Sequence, residues 1–449
     1  MAENQRIFGT DGVRGVANAD LTPELAFRVG RAAAVVLAHE VGAGRPIVVG
    51  RDTRISGPML EAALVAGICS AGRDVLLLGV LPTPAVALIT RLSGAAAGAM
   101  ISASHNPIAD NGIKLFGADG FKLSDALEAE IESDIAADSG PRPTGLDVGG
   151  VEAAPELQNR YLEHLVDHGS PLTGLEIVVD GAFGAAYRMG PEALRRLGAV
   201  VHPINCEADG ARINVLCGAT HLEPLIGEVR RRPGSLGVAF DGDADRALFV
   251  DEEGHAVNGD QVLAMLASQM AREGALPRAT VVATVMSNVG LERALDGLGL
   301  RLERTAVGDR YVLERMQAGG HPLGGEQSGH IIDLRRNSTG DGPMTAVSVF
   351  SLMARSGGRL TDLAACVKTY PQVLVNVRTH RKDLLEHAEV RRRIVAVESA
   401  LGTEGRVLVR PSGTEPLLRV MVEGPDRGAV VRMAEEIASA IRTAGDGEL

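Results

Sequence analysis

A short apolar run, a polar loop and a helical pattern follow one another three times along this chain. The three passages are Val48-Val-Gly-Arg-Asp, Val178-Val-Asp-Gly-Ala and Val282-Ala-Thr-Val-Met-Ser-Asn. Each is matched farther on by a second polar or glycine-rich loop: Ser102–Asn106, Asp241–Arg246 and Gly324–His330. Strands that alternate with helices pair mainly in parallel, because a crossover helix returns the chain to the same end of the sheet. Three related α/β units, each offering a loop to a common cleft, account for the repetition. The chain has 449 residues, and units of about 100–150 residues leave room for a fourth.

Period and turn chemistry predict strands at Ile47–Gly50, Val75–Gly79, Ile177–Asp180, Val238–Phe240, Val281–Thr284 and Leu374–Val377. Helices are predicted at Gly57–Ala71, Pro155–Val166, Ala185–Leu197, Asp260–Arg272 and Arg427–Arg442. The Gly- and Pro-rich stretch Ser139–Pro155 and the polar stretch Asp251–Gly259 mark two boundaries. A third falls at Tyr370-Pro371, where the pattern becomes an extended run, a charged helix and a final strand pair. The expected units are 1–154, 155–258, 259–370 and a smaller α+β unit, 371–449.

Lysines and arginines number 45 against 57 acids, a net charge of −12, which argues against a general nucleic-acid surface. Local arginines can still invert the field inside one cleft for a small anion. Cys69, Cys206, Cys217 and Cys366 contain no C-x-x-C pair, which suits reduced thiols better than a disulfide framework or a zinc site. The first residues lack a signal-peptide pattern, and glycine and prolines interrupt the apolar stretch Val75–Ile89. A cytoplasmic chain with no membrane partner is expected.

Asp241-Gly-Asp-Ala-Asp245-Arg246 places three carboxylates at alternate positions. They repel one another unless a cation neutralises them, and a hard cation such as Mg²⁺ takes oxygen ligands. The spacing copies the first ligands of an EF-hand loop, but Arg246 stands where that loop needs glycine and the flanks are strand-like. It also fits an aspartyl-phosphate nucleophile with an acid two residues on, a reading that leaves the other loops unexplained.

Ser104 lies among Ala103, His105, Asn106 and Pro107. By itself such a loop is an ordinary turn, but a hydroxyl beside a cation site suits phosphoryl transfer. Gly324-Gly-Glu-Gln-Ser-Gly-His330 offers groups able to hydrogen-bond a sugar. Arg410-Pro-Ser-Gly-Thr-Glu-Pro416, with Arg419 beyond, reads as an anion cradle and equally as a tight hairpin. Phe8-Gly-Thr-Asp-Gly-Val-Arg14-Gly adds an arginine, and Asn111-Gly-Ile-Lys114 a lysine. With its pKa lowered by burial or nearby cations, that lysine could exchange a proton with a sugar hydroxyl.

In this order, Phe8–Gly15, Ser102–Lys114, Asp241–Arg246, Gly325–His330 and Arg410–Pro416 resemble the motif set of the α-D-phosphohexomutase family, over almost the whole chain. Gly308-Asp-Arg-Tyr311 and Val373–Val377 extend the likeness toward members that act on glucosamine phosphate. The resemblance implies an α/β protein of four domains around a central cleft: three related α/β domains with mixed sheets and a smaller C-terminal α+β domain. It implies a phosphoserine at Ser104, and one Mg²⁺ per active site held by Asp241, Asp243, Asp245 and the Ser104 phosphate. Lys114 and His330 are then the proton-transfer candidates, with Arg14 and Arg246 stabilising charge on the phosphoryl group. Glu326 and Ser328 would bind sugar hydroxyls. Arg410, Ser412, Gly413, Thr414 and Arg419 would bind the phosphate that is not reacting.

The reaction so implied interconverts glucosamine-6-phosphate and glucosamine-1-phosphate through a bound 1,6-bisphosphate, with Gln327 favouring the amino sugar. A sugar 1,6-bisphosphate is the expected activator, and a kinase or self-phosphorylation the source of the first phosphate. A homodimer is a family-level expectation. One departure stands out: Asp180-Gly-Ala-Phe-Gly184 occupies a place where the family more often has Cys-Ala-Asn-Gly after the Asp. That loop is expected to lie away from the chemistry.

Overall fold

The computed structural model describes residues 6–9, 11–41, 44–138, 140–412 and 416–446. Its first sheet has six strands in the order Val13–Val16, Asp110–Gly117, Ala97–Ile101, Ile47–Arg51, Val75–Val80 and Val151–Ala153. The last four run parallel, and the first two are antiparallel additions at one edge. The second sheet runs Ala256–Val257, Ala247–Val250, Leu236–Phe240, Glu176–Asp180, Val200–Ile204. The third runs Arg301–Thr305, Thr280–Thr284, Leu323–Gly325, Ile331–Asp333. A three-stranded antiparallel sheet, Gln372–Arg378, Leu417–Glu423 and Arg406–Pro411, carries the helices Ala388–Leu401 and Arg427–Asp446. These are three α/β units with mixed sheets and a smaller α+β unit.

The sequence repetition acquires its meaning from strand register. Ile47–Arg51 pairs in parallel with Ala97–Ile101, Glu176–Asp180 with Leu236–Phe240, and Thr280–Thr284 with Leu323–Gly325. Both loops of each repeat therefore leave the carboxyl edge of one sheet, where open α/β sheets bind ligands.

Helix starts follow their caps. Asn258 and Gln261 form a reciprocal capping box ahead of Gly259–Arg272, and Asp341 accepts from the Met344 N–H at the start of Gly342–Ser356. The helices Pro23–Val41 and Gly57–Ser70 approach closely because Gly30 and Gly67 lack side chains: a Cβ on Gly67 would lie 2.1 Å from the Phe27 carbonyl oxygen.

With aromatics only 3% of the chain, the interior is mostly Ala, Val, Leu and Ile. One continuous core runs from Leu78 and Val86 through Leu162 and Phe240 to Phe249 and Phe350, whose rings meet edge to face at 5.6 Å. Three sheets are thereby packed into one body, whereas Val377, Leu418, Val420 and Ile437 form a separate core in the last unit. The four cysteines are free, and no described helix is long and apolar enough to cross a membrane.

Two local expectations are corrected. The turn-rich stretch Ser139–Pro155 contains an edge strand, Val151–Ala153, which pairs with Val75–Val80. The helix expected from Ala185 begins only at Met189, because Ala182 and Phe183 are left-handed (φ 53° and 51°) and Gly184 turns the chain first.

Candidate active site

The Asp241–Arg246 turn joins two antiparallel strands in which Phe240 faces Ala247. Ala244 takes a left-handed φ of 59°, and the Arg246 N–H donates to Asp241 Oδ1 at 3.2 Å. This tight turn gathers the three carboxylates, all buried, so that one oxygen from each lies within 4.8 Å of the others. Asp243 Oδ1 and Asp245 Oδ1 are buried without any hydrogen-bond donor. Burial, Asp245 and Asp243 push the Asp241 carboxyl up to about 8. Orphaned oxygens and mutual repulsion are what a divalent cation such as Mg²⁺ relieves, and an all-oxygen donor set suits it.

Ser104, from the first unit, meets this turn directly. Its buried hydroxyl donates to Asp241 Oδ2 at 2.7 Å, and its backbone is left-handed at φ 51°. Thr83, at the start of a helix in the same unit, donates from Oγ1 to Asp243 Oδ2 at 2.6 Å. His105 lies 3.3 Å from Ser104 Oγ, and burial together with Arg246 holds it down to about 4, hence neutral.

Lys114 sits mid-strand opposite Met100 and is buried, with Nζ 2.9 Å from Asp243, 3.0 Å from Asp11 and 3.7 Å from Asp245. Burial works against its charge, but Asp11, Asp243 and Asp245 outweigh burial and raise its pKa above the usual lysine range. The lowered pKa expected from the sequence is thus corrected: close carboxylates win over desolvation.

His330 lies between Asp245, 3.5 Å from Nδ1, and Asp309, 3.7 Å from Nε2. Burial opposes its charge, but Asp245 and Asp309 push it up to about 8. Arg246 Nε stands 3.7 Å from Asp245, while Arg14 pairs with Asp11. The Nε atoms of both arginines are buried and make no hydrogen bond.

Charges alternate around a closed circuit: Asp245, Lys114, Asp11, Lys122, Asp309, His330 and back to Asp245. It draws on all three α/β units. Lys122, Asp309, Asp11 and Thr83 were missed as single residues by the sequence reading. Asp11 and Asp309 lie inside motifs that carry the family resemblance, but nothing in the sequence pairs either of them with Lys122.

Glu326 accepts from the Gly308 N–H at 3.2 Å, and Ser328 is exposed at the tip of the same hairpin. Gln327 instead donates to Asp260 at 3.1 Å, so its amide braces the hairpin against the helix Gly259–Arg272.

Arg410 and Arg419 form a second group, directly opposite each other in the last sheet, with Ser412 buried nearby. Burial and Arg419 lower the pKa of Arg410. Like charges opposed across a strand pair are unfavourable unless an anion joins them. Gly413 and Thr414 lie outside the described residues. The loop Val285–Asn288 supports this unit: its carbonyls at Val285 and Ser287 accept from Arg406 at 2.9 and 3.0 Å.

The expectation that Asp180–Gly184 lies away from the chemistry is also overturned. Ala185 donates to the Gly242 carbonyl at 2.8 Å, and a Cβ on Gly184 would come within 2.4 Å of that oxygen. The Phe183 carbonyl accepts from Thr53 at 2.6 Å. This loop backs the carboxylate turn.

Comparison with known proteins accords with this geometry. Models of the phosphoglucomutase/phosphomannomutase family match its alpha/beta/alpha domain I at residues 5–141, domain II at 159–254, domain III at 258–370 and its C-terminal domain at 374–440. The chain belongs to this family. Among relatives, the phosphoglucosamine mutase of Symbiobacterium thermophilum is 54% identical over 443 residues, covering 98% of this chain and 99% of its own. That of Moorella thermoacetica is 54% identical over 426 residues, 94% and 96% of the two chains. A solved family member from Burkholderia thailandensis superposes with a TM-score of 0.83 at 24% identity, covering 99% and 98%. An N-acetylphosphoglucosamine mutase from Aspergillus fumigatus does so at 0.68 and 19%, covering 98% and 96%. Both structural likenesses bear on the fold alone.

Proposed function

We propose that this chain interconverts glucosamine-6-phosphate and glucosamine-1-phosphate, the activity for which relatives of 54% identity are named. The observation that carries the chemistry is the Ser104 hydroxyl, 2.7 Å from Asp241 in a buried cluster of three carboxylates. Phospho-Ser104 gives its phosphoryl group to the sugar oxygen at position 1 or 6. The P–Oγ bond breaks, a P–O bond to the sugar forms, and the proton of the sugar hydroxyl leaves. His330, pushed up to about 8 against burial by Asp245 and Asp309, exchanges that proton. Lys114, held as an ammonium, delivers a proton to the departing Ser104 oxygen. The resulting 1,6-bisphosphate turns over in the cleft and returns its other phosphate to Ser104.

Asp241, Asp243 and Asp245 would hold Mg²⁺, which when bound polarises the phosphoryl oxygens. Arg14 and Arg246 take charge on the same oxygens, so catalysis is mostly positioning and electrostatics. Glu326 and Ser328 grip sugar hydroxyls, and Arg410, Ser412 and Arg419 grip the distal phosphate. A sugar 1,6-bisphosphate or a kinase would load Ser104 first, and the reaction belongs in the cytoplasm on the route to UDP-N-acetylglucosamine.

The test compares kcat/KM for glucosamine-6-phosphate, glucose-1-phosphate and mannose-1-phosphate, with Mg²⁺ and a trace of bisphosphate. Preference for the amino sugar and a dead Ser104→Ala enzyme are expected. Preference for a neutral sugar would overturn the substrate, and an active Ser104→Ala enzyme the mechanism.

A further inference from the structure

Beneath the Ser104 loop lies a side chain that substrate does not reach. Arg54 is fully buried beside Asp52, itself fully buried. Its Nε donates to Asp52 Oδ2 at 3.0 Å. One terminal nitrogen donates to the carbonyls of Pro107 and Asp110 at 2.6 and 3.0 Å. The other donates to those of Ser104 and Asn106 at 2.8 Å each. A guanidinium has five N–H groups, and here each has its own acceptor. Four of the five acceptors are peptide oxygens of the single loop that carries the nucleophile.

The rest of the clamp is equally specific. Asp52 accepts from the Arg54 amide at 2.8 Å and from the Ser102 hydroxyl at 2.6 Å, and Ser102 Oγ accepts from the Ser104 N–H at 2.9 Å. From the second unit, Asn214 donates to the Ser104 carbonyl at 2.9 Å. Gly242 packs so tightly there that a Cβ would lie 2.5 Å from the same oxygen.

These contacts surround the serine whose φ is 51°. For a residue with a Cβ that conformation is unfavourable, and it persists only where its surroundings over-determine it. It is also the conformation in which Oγ meets Asp241. A buried, fully bonded arginine is a large commitment for a loop that could otherwise relax into an ordinary turn. Lysine cannot replace it, having three donors and no planar fork.

We propose that Arg54 is the positioning residue for the phosphoryl-carrying serine: by holding four carbonyls of the loop it fixes Ser104 in the strained conformation that aims Oγ at the carboxylate cluster. The proposal rests on Ser104 being the phosphoryl carrier. Arg54 stays clear of the substrate, so losing it should slow transfer and leave substrate binding nearly as it was.

The experiment uses full-length wild-type protein, Arg54→Lys and Asn214→Ala. Phosphorylation of Ser104 is measured by intact mass, and kcat, KM and the thermal midpoint are compared per phosphorylated molecule. Arg54→Lys should lower kcat on the order of a hundredfold, as expected for a reacting atom displaced by about 1 Å, with KM within about twofold. Asn214→Ala removes one bond to the same carbonyl without altering the buried ion pair, and should lower kcat about fivefold. A lower thermal midpoint with unchanged kcat in Arg54→Lys would make Arg54 merely structural and overturn the proposal. If Arg54→Lys does not fold, unchanged kcat in Asn214→Ala overturns it and a lowered kcat at constant KM supports it. An active Ser104→Ala enzyme would instead overturn the role of the serine, so the two failures are distinguishable.

Discussion

Lys122→Met asks whether the charge circuit that joins the three α/β units does more than fill space. Lys122 bridges Asp11 and Asp309, lying 2.5 Å from the latter, with 15% of its side chain accessible. Methionine keeps most of the stem and removes the cation. Asp11 would retain Lys114 at 3.0 Å and Arg14, whereas Asp309 would keep no closer charged partner than His330, at 3.7 Å, beside the Arg310 N–H at 2.8 Å. Breaking a fully buried pair costs about 3–5 kcal/mol. Because Lys122 and Asp309 are 15% and 20% accessible, water screens part of that, and about 2 kcal/mol is the better figure. Much of the loss should fall on the arrangement that brings Asp309 and His330 to the site, since the bond joins different units. We expect kcat/KM to fall about tenfold to thirtyfold. Adding Asp309→Asn should recover part of it, giving a coupling of about 1–2 kcal/mol in a double-mutant cycle. Turnover of glucosamine-6-phosphate and urea unfolding of the four proteins measure both quantities. Single effects that add to within about 0.5 kcal/mol would refute the circuit as an interacting unit.

Two further outcomes follow from particular contacts. Gly184→Ala should weaken Mg²⁺ binding and lower kcat by at least about tenfold with the fold retained, because its Cβ would meet the Gly242 backbone 2.4 Å away; metal titration by calorimetry and far-UV circular dichroism check this, and normal metal affinity would count against the backing role of the loop. Burial and the neighbouring His168 hold His164 down to about 4, below its ordinary 6.5. Between those values the unfolded chain binds the extra proton, so stability present above pH 6.5 should drain away as the pH falls toward 4. Thermal midpoints across that range should drop in the wild type and less steeply in His164→Asn, and identical slopes would be the contrary result.

Alternation of strand and helix is a local property, written in apolar period and turn residues, so the three α/β units and the smaller α+β unit are legible in the sequence. So is the carboxylate turn: close acids at alternate positions are unfavourable in any setting without a cation. The length of individual elements is less legible. Val151–Ala153 forms a strand inside a turn-rich stretch because an open sheet edge at Val75–Val80 accepts it.

Residue order settles which chemical groups are available, and that loops carrying them recur at the ends of strands. Tertiary structure alone decided which groups meet and in what state of charge. Lys114 is a cation rather than a base because three acids from two separate segments converge on it. Gln327 braces a hairpin because Asp260 happens to lie within 3.1 Å. Arg54 and Lys122 carry no local mark, since their importance lies mainly in bonds to residues remote in sequence. Electrostatic energy depends on distance and burial, and neither exists until the chain is folded.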